Sequence, residues 1–129
     1  MSLKACLAWS WTFAILVLCW IPRFYLTGEE RIPKPFFVPN FDKLVHLGIF
    51  AIFSFLWMRV GSSRNRAWWV LIAGVALAVI TELGQEVPIV NRDCNLADGF
   101  ADSVGVIIGL VAYGIARKLL ERRAVPAEA

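Results

Sequence analysis

Histidine occurs once in the chain, at position 46, so a two-histidine metal site is impossible. Charged residues are scarce at 18%, against 59% hydrophobic residues. A soluble domain of this size needs far more polar surface, because most side chains of a small domain still touch water. A free cytosolic globule is therefore excluded, and so is intrinsic disorder, which requires low hydrophobicity and high net charge. The three cysteines, Cys6, Cys19 and Cys94, fall in no metal-binding or disulfide-framework spacing, and Cys94 reads as incidental. No Gly-rich phosphate loop is present, and the spacing assembles no Ser-His-Asp set. A net charge of +3 is too mild to indicate nucleic acid.

What the chain does have is apolar runs, six Trp and a mean hydropathy of +0.66. Four runs, at 5–21, 41–59, 67–83 and 99–116, each approach the length a helix needs to cross roughly 30 Å of hydrocarbon at about 1.5 Å per residue. The first could pass for a secretory signal because Lys4 precedes it. It lacks a small-residue cleavage site and ends in Trp20-Ile21-Pro22, so it reads as a retained helix. The expected fold is all-α: a four-helix transmembrane bundle forming a single domain over 1–129, with a polar tail from 117 onward. The loop between the first two helices, with Pro22, Pro33, Pro35 and Pro39, is not expected to be helical throughout. Phe36 and Phe37 within it suit a membrane interface.

Charge sets the expected orientation. One side of a four-crossing chain holds eight basic residues (Lys4, Arg59, Arg64, Arg66, Arg117, Lys118, Arg122, Arg123) and two acids (Glu121, Glu128). The other holds five basic residues (Arg23, Arg31, Lys34, Lys43, Arg92) and eight acids (Glu29, Glu30, Asp42, Glu82, Glu86, Asp93, Asp98, Asp102). Because basic loops stay cytoplasmic, both termini are expected inside and the acidic side outside.

The polar residues within the apolar runs cluster at that outer end. Asp42, Lys43 and His46 open the second helix, Glu82, Gln85 and Glu86 close the third, Arg92 lies in the following loop, and Asp98 and Asp102 open the fourth. Charges in hydrocarbon cost up to about 3 kcal/mol each, so each asks for a partner or a task. Asp42 and His46, four apart, share a helix face, as do Glu82, Gln85 and Glu86. Asp98, Asp102, Gly105 and Gly109 draw one stripe on the fourth helix, acidic at its mouth and bare further in, where another backbone can approach.

Asp42-Lys43-x-x-His46 opening one helix, Glu82-x-x-Gln85 closing the next, Arg92 followed six residues later by Asp98, and then Gly105 and Gly109, together resemble the VanZ-like family of small bacterial membrane proteins. The resemblance covers roughly residues 40 to 110. It implies a multi-pass helical membrane protein of unsettled biochemical activity, similar to the protein linked with low-level teicoplanin resistance, and so a connection to the cell envelope and glycopeptide susceptibility. This chain departs from the family pattern at Asp102, where Asn is usual, which adds a carboxylate.

Each residue also has a plainer role. Asp98 and Asp102 suit a helix N-terminus, Asp42 with Lys43 or Arg92 would neutralise charge at the lipid boundary, and a lone His is often a packing residue. Three functional readings follow. An outward polar cup could bind an anionic lipid or a lipid-linked envelope intermediate through Lys43 and Arg92, with Glu82, Gln85, Asp98 and Asp102 setting geometry. A membrane enzyme acting on a phosphorylated lipid would use His46 as a base oriented by Asp42. A scaffold would use the cluster only to lock the bundle. No cofactor is expected, and no metal site is assigned, although Asp98, Asp102 and Glu82 are oxygen ligands of the kind hard cations prefer. Membrane lipids are the expected partners and nucleic acid is not. Four short helices bury little area, which leaves room for a homo-oligomer that no motif fixes.

Overall fold

The computed structural model describes residues 1–21, 41–88, 90 and 96–124, with nothing described for the side chains at 41 and 42. The proline loop with Phe36 and Phe37, the segment carrying Arg92 and Cys94, the last residues of the tail and the Asp42 side chain lie outside the described residues.

Every element among the described residues is a helix: α1 (Leu3–Trp20), α2 (Phe41–Arg59), α3 (Arg66–Gln85) and α4 (Leu96–Ala124). Three of them, α1, α3 and α4, are long and apolar enough to cross a membrane. Helix α1 starts where the Ser2 hydroxyl accepts the Ala5 N–H at 3.3 Å, a side-chain cap for a backbone donor that has no partner within the helix. It stops just before Pro22, which disfavours helical backbone at the residue it follows. The short turn between α2 and α3 is tied by Arg66, whose Nε donates to the Trp57 carbonyl at 2.8 Å and so satisfies one of the last acceptors of α2. Helix α4 carries Asp98 in its first turn and Arg122 and Arg123 in its last, each of the sign its end of the helix dipole favours.

That last helix differs from expectation in length. The apolar run ends at 116, but α4 continues to Ala124 as an exposed polar extension. Arg117 donates to Glu121 at 2.7 Å, four residues on, and good helix formers fill the extra turns, so the helix outlasts the apolar pattern that announced it.

The best-packed pair of helices is α2 with α4. Lys43 meets Asp98, His46 meets Asp102, and the Phe55 and Tyr113 rings stand edge to face at 5.9 Å. Residue numbers rise together on both helices, so they run parallel. Helix α1 runs the other way against α2: Leu3, Lys4 and Leu7 at its start share a pocket with Arg59 and Val60 at the end of α2, whereas Trp11 further along donates through Nε1 to the Ile49 carbonyl in the middle of α2 at 2.9 Å. The core is a seam of Ile15, Phe50, Phe53, Leu77, Ala78 and Val106 drawn from all four helices.

Outside that seam the molecule is apolar. Phe13, Ile72, Val79, Ile107 and Val111 are all exposed, and Trp68 and Trp69 at the start of α3 are two-thirds exposed. Monomeric soluble proteins rarely expose apolar area on this scale, whereas hydrocarbon accepts it without cost.

Candidate functional site

The close approach of α2 and α4 positions the polar residues. A Cβ on Gly105 would collide with the Leu47 carbonyl, and one on Gly109 with the Ala51 carbonyl and the Ser54 hydroxyl. Only glycine at both positions lets the two backbones come together at this distance. The Ser54 hydroxyl, fully buried, lies 2.8 Å from the Val106 carbonyl of α4 and 3.1 Å from the Ala51 carbonyl of its own helix, adding a polar tie to the apolar seam. With α4 fixed by its glycines, the turns that precede them on the same face carry Asp102 and Asp98 against α2.

Two polar contacts, one of them an ion pair, then follow on successive turns. At the mouth, Lys43 Nζ donates to Asp98 Oδ1 at 3.0 Å, with the Lys43 side chain one-third exposed (33%) and Asp98 buried (8%). One turn deeper, His46 Nδ1 and Asp102 Oδ1 are 3.0 Å apart, and both residues are buried. With Nδ1 as the donor the tautomer is fixed and Nε2 becomes the basic nitrogen of the ring.

Helix α3 completes the centre. Glu82, 6% exposed, brings its carboxylate to the same place: one ligand-type atom from each of His46, Glu82 and Asp102 lies within 4.8 Å of the other two. Gln85 follows three residues later on the same helical face, is buried, and has no hydrogen-bond partner for its amide nitrogen among the described residues. Three helices therefore place two carboxylates, an imidazole and an amide in a region closed to bulk water. Removing such charges from water costs several kcal/mol per ion unless partners, protons or a bound ion compensate.

A groove of about 400 Å³ between α3 and α4 has Glu82 in its wall beside Leu83, Leu96, Gly99, Phe100 and Ser103. Gly99 would bring a Cβ to 3.5 Å from Glu82 Cγ, so the small residue holds the groove wall thin at that point. The lining is otherwise apolar, which suits a hydrocarbon chain better than a sugar or nucleotide.

Of the residues singled out in the sequence, the structure brings together His46, Glu82 and Asp102, with Gln85 on the adjoining turn of α3 and Lys43 with Asp98 one turn outward. Arg92 and the Asp42 side chain lie outside the described residues, so the orienting role expected of Asp42 is not described, and the acceptor observed on His46 is Asp102. Sequence reasoning assigned no role to Ser54 or Thr81, both fully buried. The Thr81 hydroxyl donates to the Ala78 carbonyl at 2.8 Å. A hydroxyl within a run of large apolar residues, as in Phe53-Ser54-Phe55, was the available signal.

The arrangement has three chemical capacities: an imidazole held by a carboxylate can move a proton, an N-and-O ligand set can hold a cation, and the Lys43 ammonium at the rim can meet an anion. No family model, no curated protein and no solved structure matches the chain.

Proposed function

We propose that the protein is a four-crossing membrane protein of the VanZ-like type, with both termini in the cytoplasm, that recognises an anionic lipid or lipid-linked cell-envelope ligand at the extracytoplasmic end of its bundle. The observation that carries the reading is the largely apolar groove between α3 and α4 with Glu82 of the polar centre in its wall, together with the partly exposed Lys43 paired to Asp98. A hydrocarbon chain suits the groove and a phosphate suits the lysine. The orientation is supported by the basic residues gathered around Arg59 to Arg66 and Arg117 to Arg123. The resemblance to the VanZ-like pattern supports the envelope context and extends the proposal to glycopeptide susceptibility.

The test is titration of the full chain, purified in mild detergent, with a polyprenyl phosphate and with phosphatidylglycerol. Lys43→Ala and Arg92→Ala are each expected to weaken binding about tenfold, or about 1.4 kcal/mol. Binding unchanged in both variants ends the proposal. A second reading, a membrane enzyme acting on a phosphorylated lipid, is favoured by the buried contact of His46 with Asp102. It requires that His46→Ala bind the polyprenyl phosphate as tightly as the unaltered chain while losing its turnover.

A further inference from the structure

We propose that His46, Glu82 and Asp102 form a binding site for one divalent transition-metal ion, with Zn²⁺ the ion best matched to the ligands. Each ligand comes from a different helix, α2, α3 and α4, and all three residues are more than nine-tenths buried. Their ligand-type atoms lie within 4.8 Å of one another. In a tetrahedral zinc site with bonds of about 2.1 Å, the ligand atoms stand about 3.4 Å apart. Side-chain movements on the order of 1 Å therefore close the set around an ion. The 3.0 Å separation of His46 Nδ1 and Asp102 Oδ1 is already short enough for one edge of such a polyhedron.

The donor chemistry narrows the choice. An imidazole nitrogen with two carboxylates suits Zn²⁺ or Mn²⁺, whereas Mg²⁺ and Ca²⁺ prefer oxygen alone. Two carboxylates and a neutral imidazole carry the charge a divalent ion balances. Coordination through His46 Nδ1 requires that nitrogen without its proton, which the neutral ring then carries on Nε2, so binding changes the tautomer and releases no proton from the imidazole. Three protein ligands leave a position for water, as in zinc sites that stay open to a further ligand. A separate feature bears on the same place: the Gln85 amide, buried on the Glu82 face of α3, has a nitrogen with no partner among the described residues, a polar group suited to a metal-bound water. The site does not depend on the lipid reading.

The experiment is elemental analysis and calorimetry on the tag-free full chain in detergent, stripped with chelator and titrated with ZnCl₂. Expected are one Zn²⁺ per chain and a raised melting temperature. Glu82→Gln and Asp102→Asn are each expected to weaken Zn²⁺ binding at least about tenfold while Arg117→Ala, on the exposed end of α4, leaves it unchanged. X-ray absorption on the unaltered zinc-loaded protein, which needs no variant to fold, is expected to show a shell of nitrogen and oxygen without sulfur. Sulfur in that shell, substoichiometric zinc, or equal affinity in the unaltered chain and the Glu82→Gln variant overturns the proposal.

Discussion

At the scale of single residues the two polar contacts between α2 and α4 should behave differently. Lys43 is partly in water, so its pair with Asp98 is weakened by solvent, and Lys43→Ala is expected to cost no more than about 1 kcal/mol. Asp102 is fully buried against His46, and Asp102→Ala is expected to cost about 1–3 kcal/mol by removing the acceptor that the buried imidazole donates to. Thermal unfolding of the two variants in the same detergent checks the contrast; equal losses would place the two pairs in equivalent environments. The sequence made His46, Glu82 and Asp102 conspicuous because ionisable groups in apolar runs are expensive. It could not reveal which of them touch. Spacing along one helix nominates Asp42 as the neighbour of His46, whereas the described bond crosses to α4, and contacts between helices depend on packing that no local rule contains.

The element that decides that packing is the glycine stripe of α4. Gly105 and Gly109 leave no room for a Cβ beside α2, so Gly105→Leu or Gly109→Leu is expected to push the helices apart, lower folded yield in detergent and reduce the melting temperature. Unchanged yield and melting would mean that the backbones do not meet at these positions. Ser54→Ala removes one interhelical hydrogen bond and is expected to cost only about 0.6 kcal/mol, the usual worth of such a bond between membrane helices. The stripe itself was readable, since Asp98, Asp102, Gly105 and Gly109 fall on one face by counting. The length of α4 was not, because hydrophobicity marks where a helix is apolar and not where it ends. The turns from Arg117 to Ala124 are held by propensity and an Arg117–Glu121 pair, to which hydropathy is blind.

For the whole molecule, composition carried most of what could be known. The scarcity of charge and the abundance of large apolar residues foretold an exterior unsuited to water, and the structure displays it as exposed aliphatic and aromatic side chains around a narrow core. The parallel course of α2 and α4, with α1 opposed to α2, is the course that the proposed four crossings in alternating directions require. Under the proposed topology, cysteines introduced at Ser2, Ser62 and Ala124 should react with a membrane-impermeant thiol reagent only after the membrane is opened. Labelling of any of them in intact cells would reverse or break the orientation. The arrangement of the helices around a buried polar centre lay beyond sequence reading, since it depends on how α3 packs against the α2–α4 pair.

The enzyme reading and the proposed metal site both require His46 and Asp102 to meet inside the bundle. A double-mutant cycle tests this most directly: the unfolding free energies of His46→Ala, Asp102→Ala and the double variant, measured in one detergent at one pH. Expected is a coupling of about 1–3 kcal/mol, with the double variant no worse than the poorer single one. Strict additivity, with a coupling near zero, would mean that the two side chains do not meet and would contradict the centre on which the rest is built.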